Sequence, residues 1–222
     1  MWIIGDIHGC LKALNSLLSK IPGDENLLFI GDYVDRGPDS AGVIDRIIIE
    51  KHRSVYLLGN HEEMMLDYLR NPGDPSHMFW LHQNNGGMDT LDSYQLNKNA
   101  VIKDLPEEHL DFLNNLKLYH EDKNFIAVHA GIRINGDTAI ANQKKQDLLW
   151  IRNEWIRNES KWDGKHIYYG HTPCFMISDG ASYSDFINGK KSTGIDTGCV
   201  YGGFLSAVNS ETGEIIQVQN KD

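Results

Sequence analysis

The first seventy residues alternate between short, wholly apolar runs and stretches whose apolar residues recur every three or four positions. The runs are 2–4, 27–30 and 55–58. Each is too short for a helix and too continuous for a half-exposed strand, so each reads as a strand covered on both faces. Between and after them, Leu11, Leu14, Leu17 and Leu18 fall on one helical face, as do Val43, Ile44, Ile47 and Ile48, and then Met64, Met65, Leu66 and Leu69. This βαβαβα pattern predicts a parallel sheet with right-handed crossovers. From about Asn71 to Leu118 the pattern predicts helices and loops, with breaks at Pro72-Gly73 and Asn85-Gly86-Gly87 and a new helix starting at Pro106. Strands return at 125–128, 167–169, 193–195, 204–208 and 214–218. Their closer spacing and Gly-rich turns predict a second, mixed or antiparallel sheet. The expected fold class is mixed α/β (α+β), with two sheets packed face to face and helices outside. No linker interrupts the pattern, so residues 1–222 are expected to form one domain.

The strands matter for where they end. Three apolar runs stop at a glycine and pass at once into polar residues: Gly5-Asp6-Ile7-His8-Gly9, Gly31-Asp32-Tyr33-Val34-Asp35-Arg36-Gly37 and Gly59-Asn60-His61-Glu62. In an open α/β sheet the carboxyl ends of parallel strands form the usual site, so Asp6, Asp32 and Asn60 should meet at one edge. Val128-His129-Ala130-Gly131 and Tyr169-Gly170-His171-Thr172-Pro173 bring imidazoles to two later strand ends. Taken singly, each has an ordinary explanation: a turn, a helix start favourable to Glu62, or a hydrogen-bonded core histidine. Together, five polar clusters at the ends of buried strands would cost stability unless a ligand satisfied them. Oxygen and imidazole donors without thiolate suit Mn, Fe or Zn. Two such ions about 3.5–4 Å apart would clamp a phosphoryl group.

These motifs resemble the phosphoprotein phosphatase family of serine/threonine phosphatases, and most of all its short bacterial and bacteriophage-lambda-type members. The most specific element is Gly31-Asp32-Tyr33-Val34-Asp35-Arg36-Gly37. Pro173 stands where broader metallophosphoesterases often carry the last His of Gly-His-x-His. Asn85-Gly86-Gly87, Leu149-Trp150-Ile151-Arg152 and Ile195-Asp196-Thr197-Gly198 also resemble the short bacterial members. The resemblance implies a calcineurin-like metallophosphoesterase fold, a two-sheet sandwich flanked by helices. It implies two divalent ions, manganese first and iron or zinc next, with one held by Asp6, His8 and a bridging Asp32. Asp32, Asn60, His129 and His171 would hold the second. His61 would be the general acid, oriented by Asp35. Arg36 and Arg152 would bind phosphate oxygens, and Tyr201 would lie near the metals on its own loop. Water activated between the ions would be the nucleophile. The implied substrates are phosphorylated proteins or peptides, on serine or threonine and also on tyrosine. The competing reading is a symmetrical dinucleoside polyphosphate (diadenosine tetraphosphate) hydrolase, a class whose members are usually longer.

Other residues draw plainer expectations. Trp150 and Trp155 read as packing, and the stretch Met78-Phe79-Trp80-Leu81, flanked by His77 and His82, reads as helix packing first and as a rim over the site second. Gly86 and Gly87 read equally as a turn or as a loop beside the phosphate. Cys10 lacks the phosphate loop of a cysteine phosphatase.

Composition narrows the setting. Of 222 residues, 41% are hydrophobic, enough for a core, and no apolar run is long enough to span a bilayer. The apolar segment 1–5 is too short for a secretory leader and runs straight into Asp6. Cys10, Cys174 and Cys199 have neither zinc-knuckle nor disulfide spacing, which predicts free thiols in a reducing cytoplasm. A net charge of -10 argues against nucleic acid as a partner. It does not argue against phosphate, because bound cations together with Arg36 and Arg152 would reverse the sign locally.

Overall fold

The computed structural model describes residues 1–134, 139–177 and 182–221. One sheet contains β1 (Trp2–Ile4), β2 (Leu27–Phe29), β3 (Ser54–Tyr56), β9 (Phe204–Asn209) and β10 (Ile215–Gln219), in the order β10-β9-β1-β2-β3. The other contains β4 (Tyr119–Glu121), β5 (Phe125–Val128), β6 (His166–Tyr169), β7 (Ile187–Asn188) and β8 (Ser192–Gly194), in the order β4-β5-β6-β8-β7. As the helical periodicity requires, β1, β2 and β3 are parallel, joined through α1 (Leu11–Leu18) and α2 (Ser40–Ile48). The other helices are α3 (Asn60–Arg70), α4 (Gly87–Ser93), α5 (Glu107–Asn114), α6 (Lys145–Trp150) and α7 (Asn153–Ile156).

Side-chain alternation sorts the core into three layers. Ile3, Leu28 and Val208 from the first sheet meet Phe125, Ala127 and Tyr168 from the second, and this is the interior of the sandwich. Their neighbours Trp2, Ile4, Leu27 and Phe29 face the other way and pack on Leu14, Leu17, Val43, Ile44 and Ile47 of α1 and α2. On the far side, Ile126, Val128, Ile167 and Tyr169 pack on Leu148, Ile151 and Trp155. Trp155 is wholly buried, with its ring edge-on to Tyr169 at 5.9 Å, so it packs as expected. Burying each aliphatic chain of this kind is worth about 1.5–3 kcal/mol. Both faces are covered, which is why the strands read as continuous apolar runs. Among the described residues, no helix is long and apolar enough to cross a membrane.

Two expectations about the later strands need correction. β9 and β10 do not belong to the second sheet. β9 lies antiparallel on β1, with Ile3 opposite Val208, and β10 pairs with β9. Periodicity tells which face of a strand is buried but not which neighbour it takes. β1 has β2 along one edge only, and its other edge carries backbone groups that require a partner. The second sheet in turn includes β4, an edge strand of sequence Tyr-His-Glu with no apolar run to reveal it, and the two-residue β7. Two of the connecting turns between 71 and 118 are 3-10 rather than α, and α5 begins directly after Pro106.

Candidate metal centre

The carboxyl ends of β1, β2, β3, β5 and β6 converge on one end of the sandwich. Backbone bonds across the two sheets fix the approach. The His171 N–H donates to Asp6 Oδ2 at 2.9 Å, and His129 Nδ1–H donates to the Ile30 carbonyl at 2.9 Å. Gly59 and Gly170 are required by close contact: a methyl group there would come within 2.1 Å of Asp32 Oδ1 and of Asp6 Oδ1 respectively. His8, Asp32, Asp35, Arg36 and His171 all hold positive φ, between 48° and 75°. Among the described non-glycine residues only Gln95 joins them. Such conformations cost of order 1–3 kcal/mol each and gather where a site over-determines the backbone.

Every ligand position expected from the sequence is buried: Asp6, His8, Asp32, Asn60, His129 and His171. Two tight groups form around them, one joining His8 and Asp32 with the predicted acid His61, the other joining Asp32 with His129 and His171, each with its donor atoms within 4.8 Å of one another. Asp32 belongs to both, the position expected of a bridging residue. Asp6 lies outside these tight groups and beside them, linked through His171. His8 Nδ1 faces the Val34 carbonyl at 2.8 Å, so it carries the proton and leaves Nε2 as a lone pair, 3.4 Å from Asp32 Oδ2. His129 Nε2 is likewise left as a lone pair, 2.9 Å from Asn60 Oδ1.

The donor set fits divalent cations on evidence internal to the site. Asp6 Oδ1 and His171 Nε2 are buried with no hydrogen-bond partner. Such atoms are rare in native interiors and ask for a ligand. Burial, then Asp196, then Asp32 push the Asp6 carboxyl well above the usual range, as expected of clustered carboxylates lacking a counter-charge. Burial also raises Asp32, but the surrounding imidazoles of His129, His61, His8 and His171 hold it well below that range. Burial lowers His8, His129 and His171, which favours the neutral imidazole that a metal requires.

The remaining predicted residues surround this cluster. His61 Nδ1–H donates to Asp35 Oδ2 at 2.6 Å, and its Nε2 faces the cluster, 3.9 Å from Asp32 Oδ2. Arg36 reaches His8 Nε2 at 2.8 Å, and its guanidinium lies 5.8 Å from the centre of the Tyr201 ring. Tyr201 is 43% exposed. Arg152 Nη1 donates to the His171 carbonyl at 2.9 Å and to Thr172 Oγ1 at 3.0 Å. Gly86 is part of this wall, because a methyl group there would strike the Arg36 backbone nitrogen at 2.3 Å.

Several residues at the site escaped the sequence reading. Glu62 does more than favour a helix start. Its carboxylate accepts the N–H groups of Asp32 (2.9 Å), Tyr33 (2.7 Å), Val34 (3.2 Å) and Gly59 (3.0 Å). Asp196 is buried beside Asp6, and burial together with Asp32 raises its carboxyl to about 6. Its signal was present, since β8 also ends in glycine and passes through Ile195 to a carboxylate. Trp150 is not mere packing: its ring stands edge-on to His171 at 6.1 Å while its Nε1–H donates to Glu63 at 2.8 Å. Trp80 is fully buried, and its Nε1–H donates to both Asp35 oxygens, at 3.0 and 2.9 Å. Cys10 is buried with its thiol donating to the His8 carbonyl at 3.4 Å.

Known proteins give this geometry a context. The family model described as calcineurin-like phosphoesterase matches residues 1–202. A protein from Anoxybacillus flavithermus named bis(5'-nucleosyl)-tetraphosphatase PrpE [asymmetrical] is 28% identical over 97% of this chain and 92% of its own length. A protein of the same name from Bacillus cereus strain B4264 is 29% identical with the same coverage. Among solved structures, a chain described as a candidate diadenosine tetraphosphatase superposes with a TM-score of 0.70 at 23% identity, covering 100% of this chain and 93% of its own. A Saccharomyces cerevisiae protein serine/threonine phosphatase with similarity to human phosphatase PP5 superposes with a TM-score of 0.61 at 14% identity, covering 100% and 80%.

Proposed function

The chain belongs to the calcineurin-like phosphoesterase family, and on that premise we propose that it hydrolyses dinucleoside polyphosphates, cleaving them asymmetrically, at a centre holding two divalent ions. The observation that carries the hydrolytic reading is the buried convergence of Asp6, His8, Asp32, Asn60, His129 and His171 around polar atoms that lack partners. The substrate reading is supported by relatives that align along nearly the whole chain and bear that activity in their names. It reverses the order reached from sequence, which put phosphoproteins first and symmetrical cleavage second. The chain's length had counted against nucleotides, but it covers 92% of those relatives.

Cations bound at this centre, with manganese the first choice and iron or zinc next, supply an acidified water as nucleophile and positive charge for the phosphoryl oxygens. The chain's own residues do the rest. Arg36 and Arg152 stand at the mouth, where they bind phosphoryl oxygens and stabilise their charge in the transition state. His61, held through Nδ1 by Asp35, gives the proton on Nε2 to the departing oxygen as its bond to phosphorus breaks. The Tyr201 ring beside Arg36 borders the same opening. This protein reads as an enzyme attacking phosphorus directly, with no side chain taking up the phosphoryl group.

A second reading, a protein phosphatase acting on phosphoserine, phosphothreonine or phosphotyrosine, is favoured by one observation. The His61–Asp35 pair is fully built, and alkoxide leaving groups need protonation more than nucleotide leaving groups do. Metal-stripped protein restored with manganese separates the two. Diadenosine tetraphosphate should yield ATP and AMP in equal amounts, faster than phosphate is released from phosphoserine or phosphotyrosine peptides. Two ADP would make the cleavage symmetrical, and turnover of the peptides alone would hand the assignment to the protein phosphatase.

A further inference from the structure

We propose that Trp80 is a positioning residue for the acid step: its indole N–H holds the Asp35 carboxylate in the plane from which Asp35 aims His61. The inference rests on the reading of His61 as the proton donor. Asp35 is completely buried and sits at a φ of 75°, so neither water nor a relaxed backbone fixes its carboxylate. Three side-chain donors do so instead. His61 Nδ1–H uses Oδ2, Thr90 Oγ1–H uses Oδ1 at 2.6 Å, and the Trp80 N–H bridges both oxygens. The backbone N–H of Asp35 is engaged as well, by Ser40 Oγ at 3.0 Å and Thr90 Oγ1 at 2.9 Å.

An indole suits this position because it can only donate. A hydroxyl or amide there could also turn an acceptor oxygen inward and compete with the carboxylate for the His61 N–H. The indole is itself clamped. The Tyr68 ring lies at 5.1 Å, and a methyl group on Gly87 would come within 2.7 Å of Trp80 Cδ2 and Cε2. The Asn85-Gly86-Gly87 turn therefore serves both halves of the chemistry, with Gly86 against Arg36 and Gly87 against Trp80. With the indole N–H removed, the carboxylate keeps Thr90 and His61 but loses the donor spanning its two oxygens. It can then tilt between those two bonds, and the Nε2 of His61 shifts with it relative to the leaving oxygen.

The test compares two monoesters, neither tied to a natural substrate: phenyl phosphate, whose leaving group needs a proton, and p-nitrophenyl phosphate, whose leaving group needs it far less. Trp80→Phe keeps most of the ring and removes the N–H. It should lower kcat on phenyl phosphate about tenfold, the scale of one lost hydrogen bond to a charged group, with KM and metal content unchanged. The loss on p-nitrophenyl phosphate should be much smaller. In a His61→Asn background the same substitution should have no further effect, because residues acting through one group are not additive. Equal loss on both esters, a full tenfold loss on top of His61→Asn, or no loss at all would overturn the proposal. If Trp80→Phe fails to fold, Thr90→Val must show the same leaving-group selectivity, and its failure to do so is equally decisive. If His61→Asn alone matches the parent on phenyl phosphate, the assignment of the acid falls first and takes this inference with it.

Discussion

The two sheets contribute to the centre in different ways. The loops after β1, β2 and β3 are locked to one another. Ile7 and His8 donate to the Asp32 carbonyl, Asp39 donates to the Gly9 carbonyl, and Glu62 gathers four N–H groups from the β2 and β3 turns. The second sheet supplies His129, His171 and Asp196 from strand ends far apart in sequence, and two of these are oriented by the first sheet. His129 is aimed by the Ile30 carbonyl, and His171 is tied to Asp6. One half is a self-consistent scaffold, and the other is completed by docking onto it. The difference teaches that the full set of donors exists only once the sandwich interior around Ile3, Leu28, Phe125 and Tyr168 has closed.

Three substitutions would break or sharpen this comparison. The largest effect should come from Asp32→Asn, which strikes the one residue shared by both tight groups. Activity should fall by at least about three orders of magnitude, and metal analysis should show fewer than two ions retained. Retention of both ions would mean that Asp32 does not join the halves. Next is Glu62→Gln, which weakens the scaffold without touching a donor atom. Replacing one acceptor oxygen by an NH2 that faces N–H groups should cost about 2–3 kcal/mol in chemical denaturation, with a matching loss of metal affinity. Unchanged stability would show that the β2 and β3 turns hold themselves. The smallest effect should come from Arg152→Ala on the docked side. KM for the phosphoryl substrate and the inhibition constant of inorganic phosphate should each rise about tenfold, with stability unchanged, as for loss of one charge-assisted contact. If product inhibition stays as it was, Arg152 does not bind phosphate.

Much of the scaffold was readable in the residues because glycine-ended apolar strands followed by carboxylate, amide or imidazole form a pattern with few other causes. The meeting of Asp6, Asp32, Asn60, His129 and His171 follows from it, and the parallel run of β1, β2 and β3 follows from the helical periodicity between them, whereas α6 and α7 left no such trace. What stayed hidden depends on partners rather than on pattern. Nothing local says that Phe204–Asn209 pairs with β1, because that choice is made by an open edge two hundred residues away. The sequence around Trp80 reads as a packed aromatic, and only the fold brings its N–H to Asp35. Glu62 looked like a residue placed for a helix dipole, since one side chain serving two turns leaves no periodic trace. Asp196 obeyed the strand-end pattern and lay in the Ile195-Asp196-Thr197-Gly198 motif, but neither feature marked it as a member of the centre.

The alternation that sorts the core has a consequence for how this molecule tolerates change in length. In β1, Ile3 points into the sandwich while Trp2 and Ile4 point to the helices, and Asp6 follows two residues later. Adding or deleting one residue inside that strand would exchange the faces and turn the carboxylate away from its partners, so a framing error in packing would also be an error in chemistry. The same holds for Phe125–Val128 and His129. Lengthening of such a chain is therefore confined to its connectors, and the strands act as rulers whose tick marks the reactive groups must obey.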